Sequence, residues 1–158
     1  MAEEKTNVMR LLDQKKIPYT SRQYDVSDGA LDGVTAARRL GISSETCFKT
    51  LVTAGASRQN HVFVVPVERE LDLKAAAKAV GEKSIEMIKQ AQLRPLTGYI
   101  HGGCSPIGMK KHFPTVIDTA AKGLPQITVS AGRTGRQVTL SPQDLAAFLG
   151  ASFAPVSK

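Results

Sequence analysis

Lys49 is an isolated charge in an apolar segment, and it is the side chain best suited to electrostatic chemistry. Residues 47–52 have the sequence CFKTLV, which is typical of a largely buried strand. Buried lysines are rare, so Lys49 either extends its stem to the surface or points into a pocket to hold an anion. In a pocket, the ammonium would suit a phosphate or a carbonyl oxygen that gains negative charge. Residue type alone leaves both interpretations open.

The second unusual feature is the glycine-rich segment 102–108, with the sequence GGCSPIG. Its glycines permit close backbone approach to a ligand and expose N–H groups, while Pro106 stiffens the turn. Such a loop can form an oxyanion hole, and a tight structural turn is the alternative. The segment lacks the GxxxxGK[ST] order of a P-loop and the GxSxG order of a nucleophile elbow. Nucleotide hydrolase and serine esterase activities are therefore not indicated.

A predicted hairpin turn at residues 131–136, with the sequence AGRTGR, carries two guanidinium groups. It can contact phosphates or simply be solvated. Cys104 is a candidate nucleophile, but no histidine stands in a recognisable partner motif. The histidines at 61, 101 and 112 show no metal-ligand spacing, so we expect neither a metal nor a cofactor.

The apolar spacing and the turn residues predict the elements that must position these groups. Helices are predicted at about residues 4–16, 35–40, 72–80, 85–93 and 141–150. Strands are predicted at residues 19–24, 48–54, 61–67, 97–101, 115–117, 126–130 and 137–140. Residues 25–33 are predicted as a loop, and residues 153–158 as a fraying end. Helices and strands do not alternate regularly, which favours an α+β fold with a mixed, mainly antiparallel sheet and packed helices. Length predicts one domain, 1–158.

The charge distribution indicates a polyanionic partner. The net charge is +7, and residues 101–158 contain six Lys or Arg against two Asp. An ordinary solvated basic surface is the alternative. The two cysteines are too far apart for a CxxC motif, and no stretch approaches the ~20 apolar residues that span a bilayer. We therefore expect a cytoplasmic protein without a membrane association.

Three segments in a fixed order resemble the YbaK-type family of aminoacyl-tRNA deacylases. They are FKTL at 48–51, TGY at 97–99 leading into GGCSPIG at 102–108, and VSAGR at 129–133. The likeness extends from about Val8 to Phe153. The resemblance implies a YbaK-type editing-domain fold, related to the editing domain of bacterial prolyl-tRNA synthetases. It also implies hydrolysis of the ester in cysteinyl-tRNA(Pro), with the substrate's own thiol attacking to form a cyclic thiolactone.

The same resemblance assigns roles to individual residues. The implied catalytic residues are Lys49, Gly102 and Gly103. The implied substrate-binding residues are Tyr24, Thr50, Ser105, Pro106, Ser130, Gly132, Arg133 and Gln137. The implied partners are aminoacylated tRNA(Pro) and, for tRNA selection, prolyl-tRNA synthetase.

Two positions depart from the family pattern. Gln137 stands where close relatives carry an acidic residue, and Cys104 stands where an aliphatic residue is common. A neutral amide still forms a hydrogen bond to an amino group but lacks the charge attraction. Two alternatives therefore stay open: editing of another small amino acid such as alanine, and a non-catalytic module that binds tRNA or a nucleotide.

Overall fold

The computed structural model describes residues 5–26, 29 and 32–158, which form eight strands and five α-helices. The strands are β1 Thr20–Gln23, β2 Phe48–Gly55, β3 Asn60–Pro66, β4 Ile85–Met87, β5 Thr115–Asp118, β6 Ile127–Ser130, β7 Arg136–Leu140 and β8 Ser152–Ala154. The helices are α1 Asn7–Gln14, α2 Gly33–Leu40, α3 Leu73–Val80, α4 Gln90–Thr97 and α5 Pro142–Leu149. None of the helices in the described ranges is long and apolar enough to cross a membrane.

The strands form two sheets that meet beside Lys49. The smaller sheet has the order β1-β7-β6, and the larger has the order β4-β2-β3-β5-β8. The β3–β5 and β5–β8 pairs are parallel, and the other pairings are antiparallel. The sheets are joined where Cys47 bridges Thr128, whose N–H donates to the carbonyl of Thr46 at 2.9 Å. The predicted α+β fold with a mixed, mainly antiparallel sheet is confirmed.

Helix α1 packs behind the smaller sheet because its apolar residues recur at helical spacing. Val8, Met9 and Leu12 are buried in one cluster with Val129 and Val138. Complete burial of side chains of this size stabilises a fold by roughly 1.5–3 kcal/mol each. The helix thereby supports β6 and β7 from the side opposite Gln137.

The capping predictions are confirmed at two helices. Asp72 accepts hydrogen bonds from the amides of Lys74 and Ala75, which begins α3, and Ser141 accepts from the amide of Asp144 at α5. Both helices end at a glycine in the left-handed region. Asp32, within the segment predicted as a loop, caps α2, while residues 27, 28, 30 and 31 lie outside the described residues.

The prediction of a helix over residues 85–93 is wrong. Ile85–Met87 forms β4, which pairs with the edge of β2, and α4 begins only at Gln90. The cause is a long-range anchor: the Glu82 carboxylate accepts from the amide and hydroxyl of Ser57 and lies 2.8 Å from His61 Nε2. This cluster fixes the chain beside β2, where strand pairing satisfies more backbone groups than a helix start would.

The prediction of a strand over residues 97–101 is also wrong. Thr97 is the last residue of α4, and Gly98 turns the chain at a φ of 86°. Apolar and aromatic residue types favoured a strand, but the segment has no strand partner within the described ranges. Instead, Thr97 donates its hydroxyl to the carbonyl of Leu93 and accepts from the amide of Tyr99.

The C-terminal segment does not fray as predicted. Ser152–Ala154 forms β8 alongside β5, and Ser157 bridges Leu71. One carboxylate oxygen of the buried Asp118 accepts from the amides of Val156 and Ser157 at 2.9 and 3.0 Å. These long-range hydrogen bonds order a tail whose local sequence carries no strong structural signal.

Candidate active site

A cavity of about 370 Å³ opens where the two sheets, the start of α2 and the segment after α4 converge. Its size is that of a small-ligand pocket. Six residues that the sequence predicts for the site line this cavity: Tyr24, Lys49, Thr50, Gly102, Ser130 and Gln137. They come from β2, β6, β7, the residue after β1 and the glycine-rich loop, so segments far apart in sequence supply one site.

Lys49 contributes a partly buried cation to this cavity. Burial lowers the pKa of Lys49 below its usual value, and the charge of Glu70 partly opposes this shift. The lowered pKa means that the ammonium is incompletely hydrated. It therefore gains more than an exposed lysine would from an anionic or polarised oxygen that enters the cavity.

Two buried hydrogen-bond acceptors in the lining have no partner among the described residues. They are Thr50 Oγ1 and Gln137 Oε1, and the Gln137 residue is only 7% exposed. Leaving a buried polar atom unsatisfied costs roughly 1–3 kcal/mol. Because both residues line the cavity, these two atoms are candidates to accept hydrogen bonds from a ligand, which would relieve that cost on binding.

The next polar residue on the same face of β7 is satisfied, in contrast to Gln137 Oε1. Thr139 lies two positions further along β7 and so faces the same side. Its hydroxyl lies 2.7 Å from that of Thr128 and accepts from Arg22 Nε at 2.9 Å. Gln137, in register between Arg22 and Ser130, projects from the same row into the cavity wall.

The glycine-rich loop presses against the β6–β7 turn. Gly102 has a φ of 87°, which favours glycine. A Cβ on Gly103 would lie 3.1 Å from the Thr134 amide nitrogen and 3.2 Å from the Arg133 carbonyl carbon. Gly103 therefore permits the loop backbone to approach the turn, and the Gly103 amide donates to the carbonyl of Ile100 at 3.0 Å.

Five residues predicted for the site lie outside the cavity lining: Gly103, Ser105, Pro106, Gly132 and Arg133. Ser105 is fully buried, and its hydroxyl accepts from the amide of Ile107 at 3.2 Å, which folds the loop on itself. Pro106 lines a separate cavity of about 130 Å³. Gly132 packs beside Tyr99, and Arg133 is exposed on the turn.

The lining includes residues that the sequence prediction did not assign to the site. They are Asp32, Gly33, Val34, Ala36, Cys47, Phe48, Leu51, Val67, Leu93, His101 and Cys104. Most are apolar, and their burial carries no local signal of a ligand. Gly33 offers one clue, because a Cβ there would lie 2.4 Å from Val67 Cγ1, so only glycine lets the start of α2 pack this close to Val67.

The Cys104 thiol is neutral in this site. Burial raises the pKa of Cys104 to about 12, whereas nucleophilic cysteines have a lowered pKa and exist as thiolates. Cys47, in the same lining, has its pKa raised to about 11 for the same reason. The raised pKa values of both thiols therefore argue against either cysteine as a nucleophile.

For the ester cleavage that the family resemblance implies, the variant Cys104→Ala should keep its rate within about 3-fold of wild type, because a neutral thiol contributes little as a nucleophile. Iodoacetamide should modify Cys104 in the native protein far more slowly than after unfolding, because the thiolate is scarce at neutral pH. Turnover assays and mass spectrometry of the labelled protein measure the two effects. A loss of 100-fold or more in the variant would restore Cys104 as a nucleophile.

Comparison with known proteins decides the family. The model of the aminoacyl-tRNA editing domain matches residues 30–148. This chain belongs to the aminoacyl-tRNA editing domain family. It is 43% identical over 155 residues to EbsC of Enterococcus faecalis, named as a Cys-tRNA(Pro)/Cys-tRNA(Cys) deacylase, covering 98% of this chain and 94% of that protein.

Solved structures share the editing-domain fold. One, described as a trans-editing enzyme for prolyl-tRNA synthetase, has a TM-score of 0.81 at 24% identity and covers 96% of this chain and 94% of its own. Another, described only as a hypothetical protein, has a TM-score of 0.87 at 21% identity and covers 96% of this chain and 99% of its own. The matched region of the family spans the cavity-lining residues from Asp32 to Gln137.

Proposed function

We propose that this editing-domain protein is an aminoacyl-tRNA deacylase that releases cysteine from mischarged tRNA(Pro). The observation that carries the proposal is the meeting, in one cavity, of the Lys49 cation with Gly102 and two unsatisfied acceptors. Membership of the editing family and the name of the Enterococcus relative support this class of substrate.

The cavity matches the polar groups of an aminoacyl ester. The ester carbonyl is an acceptor that becomes more negative as the ester is cleaved, so it pairs with the Lys49 ammonium. The α-amino group is a donor, so it pairs with Thr50 Oγ1 and Gln137 Oε1. The cavity thus orients the ester with complementary groups at both ends and requires no serine or cysteine nucleophile of its own.

In the proposed reaction, the substrate thiol is the nucleophile. Its sulfur bonds to the ester carbonyl carbon, and the bond from that carbon to the ribose oxygen breaks. The thiol proton passes to the ribose oxygen, which leaves a cyclic thiolactone and free tRNA. Lys49 stabilises the developing charge on the carbonyl oxygen.

The decisive experiment is a panel of charged tRNAs incubated with the purified protein. It contains cysteinyl-tRNA(Pro), cysteinyl-tRNA(Cys), seryl-tRNA(Pro), alanyl-tRNA(Pro) and prolyl-tRNA(Pro), with release of labelled amino acid as the readout. We expect cysteinyl-tRNA(Pro) to be cleaved and the seryl ester to be slower by at least ~10²-fold if the thiol attacks.

The other outcomes separate the alternatives. Preferential release of alanine would establish editing of another small amino acid, the alternative left open by Gln137 and Cys104, which both line the cavity. Salt-sensitive tRNA binding without ester cleavage would establish a binding module and overturn the enzyme. Adding prolyl-tRNA synthetase tests the proposed partner. The partnership is supported if the protein alone cleaves both cysteinyl-tRNAs equally and, with the synthetase present, cleaves only cysteinyl-tRNA(Pro).

Gln137→Leu should lower kcat/KM for cysteinyl-tRNA(Pro) by roughly 10- to 100-fold, because it removes a hydrogen bond to a charged amino group. The same change should raise the melting temperature, because a buried unsatisfied amide oxygen is lost. Thermal unfolding and initial-rate kinetics measure the opposed effects.

Thr139→Val is the matched control for that prediction. It removes a satisfied hydroxyl from the same strand and the same face, so it should lower stability and leave kcat/KM within about 2-fold. An unchanged kcat/KM in Gln137→Leu would remove Gln137 from substrate recognition.

A further inference from the structure

Tyr99 contacts the glycine-rich loop without lining the cavity. Its hydroxyl donates to the backbone carbonyl of Ile107 at 2.5 Å, across the segment that contains Gly102 and Gly103. Ile107 is fully buried, so its carbonyl depends on a protein partner. The hydrogen bond ties the beginning of the loop to its end.

The Tyr99 ring also lies against the neighbouring turn. A Cβ on Gly132 would lie 3.0 Å from Tyr99 Cε1, and a Cβ on Gly108 would lie 3.0 Å from the phenol oxygen. Both glycines have positive φ values, of 93° and 78°. The absence of side chains at these two positions leaves space for the ring between the loop and the β6–β7 turn.

Helix α1 closes the same arrangement from behind. A Cβ on Gly108 would lie 3.0 Å from Leu11 Cδ1, and a Cβ on Gly132 would lie 3.3 Å from Val8 Cγ2. The loop, the turn and α1 are thus packed around one aromatic ring, while Ser130, which precedes the turn, lines the cavity. A shift of the ring would move two walls of the cavity relative to each other.

We propose that Tyr99 is a positioning residue that holds the glycine-rich loop in the register required for ester cleavage. This inference rests on the proposed function for its kinetic consequence, but its structural content does not depend on any activity. Burial raises the pKa of the Tyr99 phenol to about 12, so the phenol remains a hydrogen-bond donor throughout the pH range of an assay.

The test compares Tyr99→Phe with Thr53→Val. Tyr99→Phe keeps the ring and removes only the donor to Ile107. Thr53→Val removes a hydrogen bond of the same type, from a buried hydroxyl to the carbonyl of His61 at 2.8 Å, away from the cavity. Both variants lose one side-chain to backbone hydrogen bond, so general destabilisation should affect them alike.

We expect kcat of Tyr99→Phe to fall about 10-fold with KM within 2-fold, because a misplaced loop weakens stabilisation of the transition state more than binding. Thr53→Val should change neither parameter by more than 2-fold. Amide hydrogen exchange supplies a readout independent of activity: the amides of Gly103 and Ile107 should exchange about 10-fold faster in Tyr99→Phe and at the wild-type rate in Thr53→Val.

Unchanged exchange at Gly103 and Ile107 in Tyr99→Phe would overturn the positioning role. A loss of kcat of equal size in both variants would also overturn it, since that result reflects stability alone. A wild-type protein that cleaves no charged tRNA would instead remove the proposed function, and the exchange measurement would still decide whether Tyr99 holds the loop.

Discussion

Lys49→Met should lower the rate of cysteinyl-tRNA(Pro) deacylation by about 10²- to 10³-fold, the loss typical for removing one well-placed oxyanion donor. Methionine keeps the length and the apolar stem of the side chain, so the cavity wall is preserved while the charge is removed. Initial rates under single-turnover conditions measure the chemical step directly.

Although Lys49→Met should lower the rate, it should not lower the thermal stability of the protein. Because the pKa of Lys49 is lowered in the folded state, the unfolded state binds more protons between that lowered pKa and 10.5. Stability therefore increases with pH across this window, and at neutral pH the charged Lys49 is unfavourable for folding. Replacing Lys49 by methionine should therefore leave the melting temperature unchanged or raise it.

The pH dependence of the rate follows from the same shift. The ammonium is the active form, so the enzymatic rate, corrected for spontaneous ester hydrolysis, should fall as the pH rises through the lowered pKa of Lys49. Lys78→Met is the control, because Lys78 is exposed on α3 and should leave rate and stability nearly unchanged. Comparable rates for Lys49→Met and wild type would exclude Lys49 from the mechanism.

Gly103→Val should reduce turnover by about 10²-fold while the protein remains folded. A Cβ at this position meets backbone atoms of Arg133 and Thr134, which cannot rotate away as a side chain would. The loop must therefore move away from the turn, and displacements near 1 Å in a catalytic site cost about 10²-fold in rate.

Gly123→Val is the matched control for Gly103→Val. A Cβ on Gly123 meets nothing within 4 Å, and its φ is not in the left-handed region. Rates and melting curves of the two variants separate a displaced loop from a general effect of adding a β-branched side chain. A rate within 3-fold of wild type in Gly103→Val would show that close packing of the loop on the turn is not required.

Local sequence was sufficient for much of the fold. The caps at Asp72 and Ser141, the hairpin of β2 and β3, and the strands around residues 127–140 all follow from signals within a few residues. The local sequence also singles out Lys49 as a candidate site residue, because a single charged side chain is unusual in an apolar strand.

The errors occur where distant residues decide the local structure. Ile85–Met87 is a strand because Glu82 is bound by Ser57 and His61, and residues 152–157 are ordered because Asp118 accepts two of their amides. No local pattern contains these partners, so propensity alone predicted a helix and a fraying end.

The sequence by itself determined that this chain carries a single lysine in an apolar strand, a glycine-rich turn stiffened by proline and the motif order of an editing domain. Only the tertiary structure decided that Lys49, Gly102 and Gln137 border one cavity, and that Leu93 and Val34 complete its apolar wall. The physical reason is that charge and backbone freedom belong to single residues. Enclosure and unmet hydrogen bonds, in contrast, arise only when segments far apart in the chain pack together.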